Sequence, residues 1–201
     1  CQLALHSKCT KFIWFFYQWF ARTFPEDGDL QEDMTDVNEI SADQARPDYV
    51  TALEQAYGAP SQAAFGSAVF YEPLPATAAL EQAALAKYRF FVGPLWERYG
   101  EAAWLGPWRQ LYRRSPGAAH AIVGELRALP DHTAMLVAGL LLDEVEEAAQ
   151  AQAALVSAFD DPAVTELAIY QLGDGGAMNG ILVAGRRQAT HAAIFLIFLI
   201  D

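Results

Sequence analysis

Histidine is scarce in this chain, which limits the acid–base chemistry it can offer. His6, His120, His132 and His191 are the only imidazoles, and Cys1 and Cys9 the only thiols. The best constellation for catalysis is His120 with Asp131, His132 and Asp143, in which a carboxylate would orient a histidine general base. No spacing requires that role, and capping of a helix by Asp131 explains the same residues. His-Glu-x-x-His, Glu-x-x-His and Cys-x-x-Cys are all missing, so no metal site and no cofactor site is expected. Gly66-Ser67-Ala68 lacks the flanking glycines of a nucleophile elbow. Gly173-Asp-Gly-Gly176 lacks the Lys-Ser/Thr of a phosphate loop and reads as a turn. The acids of Asp143-Glu-Val-Glu-Glu147 match no calcium loop and suit the solvated first turn of a helix.

One cluster stands out against this background. Trp96, Trp104, Trp108 and Tyr112 lie close together with Arg98, Arg109, Arg113 and Arg114 interleaved, a basic island in an acidic chain. Trp, Tyr and Arg are the residues enriched at binding hot spots. Trp104, Trp108, Arg109, Tyr112, Arg113 and Arg114 are therefore the expected partner-binding residues. If Trp108–Arg114 is helical, Arg109 and Arg113 share a face. The competing reading makes the tryptophans core and pairs the arginines with the protein's own acids.

Composition narrows the classes of function. The chain has 201 residues, net charge -12 and 53% apolar residues. Such a chain can bury a large core and repels phosphate backbones, so nucleic acid is not expected as a partner. Residues 1–33 differ from the rest. They carry the aromatic run Phe12–Phe20, with Lys8, Lys11 and Arg22 nearby and no acid before Glu26. The run has about half the ~20 apolar residues of a membrane span. The favoured reading is a leader outside the natural protein, which would begin at Met34; a docked helix and an interfacial helix are the alternatives.

The elements that must position these residues read as helices first and strands last. Pro47–Tyr57 is a helix stopped by Gly58. Ser61–Phe70 fits helix or strand, and Glu72–Pro75 is a linker. Thr77 is the expected N-cap of a helix along Leu80, Ala84, Tyr88 and Phe91. Pro94–Tyr99 and Glu101–Arg114 read as short helical pieces, followed by a helix along Ile122, Leu126 and Leu129. Thr133–Leu142 leans to helix on its Ala and Leu content, and Asp143–Phe159 reads as helix throughout. Thr165–Leu172, Met178–Ala184 and Thr190–Ile200 then read as strands. Asp174-Gly175 forms the first turn and Gly180 marks a bulge or close approach.

The expected fold is α+β, a single domain over 34–201. Its helical N-terminal two-thirds (about 47–159) would pack on a C-terminal antiparallel meander of three or more strands (about 165–200). Ala192–Ile200 is apolar on both faces, so it cannot be a bare edge strand. Ser61–Phe70, Thr133–Leu142, covering helices or a second chain must shield it.

The expected function is a non-enzymatic cytoplasmic interaction domain, bacterial by its alanine content. It would be an adaptor or immunity-type protein using the aromatic/Arg surface, with a protein partner or a second copy. One alternative is a small-molecule-binding protein or enzyme with a pocket between helices and sheet, using His120 or His132. Another is peripheral membrane association through residues 12–20, although membrane binding is not the expectation. A convergent polar pocket favours the small-molecule reading; a filled core with exposed Trp and Arg favours the interaction domain.

Overall fold

The computed structural model describes residues 46–201. The aromatic run 12–20, the boundary at Met34 and the leader reading lie outside the described residues.

Helix α1, Asp48–Tyr57, follows Pro47 and stops at Gly58, with Val50, Leu53 and Tyr57 turned inward. Strand β1 is Gly66–Pro73. Helices α2 (Leu80–Val92), α3 (Pro94–Tyr99) and α4 (Glu101–Leu105) follow, separated by Gly93 and Gly100. Strand β2 is Arg109–Arg113. Next come α5 (Ile122–Arg127), α6 (His132–Asp143) and α7 (Ala148–Phe159). Strands β3 (Val164–Gly173), β4 (Asn179–Arg187) and β5 (Ala192–Ile200) close the chain. The sheet order is β1-β5-β4-β3-β2, with every neighbouring pair antiparallel.

The class is α+β, but the expected layout of a helical N-terminal two-thirds followed by a meander is wrong. Two of the five strands come from the N-terminal two-thirds: β1 begins within Ser61–Phe70, left open between helix and strand, and runs into the expected linker, and β2 lies in Glu101–Arg114, read as helical. The meander β3-β4-β5 exists, and each of its outer flanks is extended by one of these earlier strands. The physical reason is clearest at β2. After the break at Gly106-Pro107 only seven residues remain to Arg114, too few for a stable isolated helix. Pairing with β3 satisfies their backbone groups instead. Two further expectations fail locally. Thr77 does not cap α2, which starts at Leu80 without a side-chain cap. The acids Glu144, Glu146 and Glu147 form the turn before α7 rather than its first turn, and Glu147 has left-handed backbone (φ 56°).

The apolar strand β5 lies between β1 and β4, so neither of its edges is bare. Both faces of the sheet are covered. On one face Val69, Ile169, Ile181, Val183, Ile194 and Leu196 pack with residues of α1, α5, α6 and α7. On the other face Phe70, Tyr170, Leu182, Phe195 and Ile197 pack with residues of α2, α3 and α4. That two-sided burial is why the strands read as continuous apolar runs rather than an alternation. The exposed edges fall to β1 and β2, which carry Glu72 and Pro73, and Arg109, Gln110 and Arg113, residues that discourage edge-to-edge pairing. A Cβ at Gly180 would run into the Phe198 carbonyl, so the expected close approach is present between β4 and β5.

Candidate functional site

The aromatic and basic residues singled out from the sequence do not form one surface. Trp96 and Trp104 are buried, and their rings stack at 6.2 Å. Trp108 is half-buried between Tyr88 and Tyr170, stacked on the latter at 4.7 Å. Its Nε1–H donates to Glu81 at 3.4 Å. The tryptophans therefore build the interior of the α2–α4 face.

The arginines are divided by a β-bulge. Gln110 pairs with Tyr170 and Tyr112 with Ile169, leaving Leu111 as the extra residue. An extra residue reverses the alternation of side chains between faces. Arg109 and Arg113 consequently lie on opposite faces, against the expectation of a shared helix face. Arg109 donates to Gln171 and to Asp131 (2.6 Å). Tyr112 donates to Glu125 at 3.0 Å. Arg114 is buried on the α5–α7 face, where it donates twice to Glu125, once to Asp160 and once to the Phe159 carbonyl. Burial of Arg114 opposes its charge, while Glu125 and Asp160 restore it and hold the group firmly protonated. Arg113 points the other way and donates to Glu166 at 2.7 Å.

The proposed histidine site is likewise not assembled. His120 Nδ1 lies 3.1 Å from the Asp160 carbonyl. Asp131 caps α6 by accepting from the Ala134 amide, with exposed His132 beside it. Asp143 pairs with Arg127. Among the described residues, no group of three His, Cys, Asp or Glu side chains is placed to hold a metal ion. Nor is any helix among them long and apolar enough to cross a membrane.

What the fold does assemble is a cleft of about 620 Å³ where the start of α2 meets the β2–β3 edge. Glu81, Gln110, Arg113, Glu166, Tyr170, Arg186 and His191 supply its polar lining. Its wall is fixed in advance. Arg186, at the end of β4, donates to the carbonyls of Pro75, Ala76 and Ala78, the turn leading into α2. Its Nε lies 3.1 Å from Glu166, whose other oxygen takes Arg113. The Tyr170 ring is buried in the aromatic stack, yet the residue reaches the cleft. Burial, then Glu81 and Glu166, push its hydroxyl up to about 12, against a smaller lowering by Arg113. At neutral pH it is thus a protonated hydrogen-bond donor, with both acids and Arg113 close enough to act on it. His191 adopts left-handed backbone (φ 47°) at the β4–β5 turn and lines the cleft.

Of the residues chosen from sequence, Arg113 and Arg114 line this cleft; Trp108 supports it through Tyr170. Glu81, Gln110, Glu166, Tyr170, Arg186 and His191 were not foreseen. A signal for one of them existed: Glu166 is a charge inside an otherwise apolar strand, and such a charge needs a partner.

A scan against protein-family models matched none. Searches of curated proteins and of solved structures likewise returned no match.

Proposed function

We propose that the domain binds a small polar molecule in the cleft between α2 and the β2–β3 edge. The observation that carries this reading is the convergence of Arg113, Glu166, Glu81 and Arg186 on one cleft of about 620 Å³. That volume is within the range of small-molecule sites, and a few convergent polar groups over an apolar floor are their usual chemistry. Arg186 clamps the wall before any ligand arrives, which lowers the ordering cost of binding. The reading keeps the small-molecule alternative from the sequence and replaces His120 and His132 by the cleft residues. Thermal-shift screening of the full chain against polar metabolites tests it, with Thr165→Trp as a filled-cleft control. At least one compound should raise the Tm of the wild type but not of the control. Compounds that stabilise both proteins equally would count against the cleft.

A second reading, a self-associating interaction domain, is favoured by a different surface from the Trp/Arg cluster. Leu136 and Leu140 stand one turn apart on α6 and are exposed, as are Met135 and Val156. Exposed apolar patches of this kind mark interaction sites. Sedimentation velocity of the full chain and of Leu136→Glu/Leu140→Glu tests it; a monomer in both cases would remove the support.

A further inference from the structure

Resting on the cleft as the binding site, we infer that its ligand is a zwitterion of amino-acid type, with its carboxylate received by Arg113 and its ammonium by Glu81. The charge balance of the lining carries the first part. Arg113 and Arg186 face Glu81 and Glu166, while the Arg114 guanidinium is engaged on the opposite face of the sheet. A net anion would meet both acids and the field of a chain of net charge -12. A simple amine would meet both guanidinium groups. A molecule carrying one charge of each sign satisfies the cleft without stranding either.

The second part follows from which groups are spoken for. Arg186 is fixed by three backbone carbonyls and is only 10% exposed, so it builds the wall. Arg113 is 60% exposed and uses a single N–H, on Glu166. A guanidinium offers five donors in a fork that fits a carboxylate. A solvent-exposed pair of this kind holds its partners weakly, so an incoming carboxylate can take Arg113 from Glu166 at little cost. After the exchange Glu166 keeps the charge of Arg186, whose Nε lies 3.1 Å from its other oxygen without a hydrogen bond between them. Glu81, which lines the same cleft, is exposed and accepts one long hydrogen bond, from Trp108, through Oε1. Its Oε2 accepts none among the described residues, which leaves it for an ammonium.

Isothermal titration calorimetry on the full chain tests the inference. The probes are the twenty amino acids, each beside its decarboxylated amine and its deaminated acid, with sugars, polyols and dicarboxylates as further probes. At least one amino acid should bind tenfold or more tightly than either truncated analogue. Arg113→Gln should weaken it tenfold or more and narrow the gap to the amine. Glu81→Gln should narrow the gap to the acid. Both side chains are exposed, and an unchanged Tm and circular dichroism spectrum verify folding. Failure of every amino acid to bind, or equal binding of an amine or acid, overturns the inference. If a sugar, polyol or dicarboxylate binds instead and Thr165→Trp abolishes it, the zwitterion is wrong and the cleft reading stands. If ligands bind and Thr165→Trp leaves them untouched, the cleft reading itself fails.

Discussion

The two faces of the sheet solve the same burial problem with different side chains. The face under α1, α5, α6 and α7 is mostly aliphatic and is sealed at its rim by the buried pairs of Arg114 with Glu125 and Asp160. The face under α2–α4 is aromatic and stays open at one end. Neighbouring residues make the contrast sharp. Arg114 is 4% exposed and surrounded by Glu125, Asp160 and the Phe159 carbonyl; Arg113 is 60% exposed with one partner. Ordinary alternation along the strand, one residue to each face, separates a guanidinium that holds the fold from one left largely exposed. Rigid aromatic stacking beside a cleft also gives a binding site supports that do not move, as Trp108 does for Tyr170.

The largest test of this contrast removes its anchors. Arg114→Met should destabilise the fold by ~3–5 kcal/mol, because Glu125 and Asp160 would be left partly buried without their cation. Trp104→Ala should cost a similar ~3–5 kcal/mol through the cavity it opens on the aromatic face. Urea unfolding reads both. A small effect of Arg114→Met would mean that the rim network is not the seal described. Gly173→Ala should cost ~1–3 kcal/mol: its φ of +150° is strained for any side chain, and a Cβ would meet the Met178 carbonyl. Its backbone is also held at both ends by the Tyr88 hydroxyl. Arg113→Gln should change stability by less than ~1 kcal/mol, the scale of an exposed pair. A loss comparable with that of Arg114→Met would erase the proposed division of labour.

The pH dependence is one that both faces share. Tyr49, beside Arg187 on the aliphatic face, and Tyr170, on the aromatic face, both ionise only at about 12, chiefly because they are buried. An unfolded tyrosine ionises near ~10. Their burial therefore favours the native state fully below that pH, and the advantage is lost as pH rises from ~10 to about 12. Circular dichroism should show the onset of alkaline unfolding in that window. A transition below pH 9 would point to another group.

Much of the architecture was legible in the sequence where periodicity was long. α1 and α2 follow from their apolar stripes and stops, and the Thr133–Leu142 helix from its Ala and Leu content. The need for a partner to β5 follows from its two apolar faces. β2 was not legible, because Arg109–Arg113 has no strand pattern apart from its pairing with β3. The cleft was hidden for a related reason. Its polar groups come from α2, β2, β3 and the β4–β5 turn, and only the sheet order brings them together. The tryptophan cluster was visible, but not its direction: whether Trp104 and Trp108 face inward depends on which side of the sheet α4 covers.

The most direct measurement is amide chemical-shift mapping of the full chain on addition of an amino-acid mixture. The account predicts perturbations at residues 76–81, 110–113, 165–170 and 186–191, with α6 and α7 unmoved. Perturbations confined to the exposed apolar face around Leu136, Leu140 and Val156, or none at all, would contradict it.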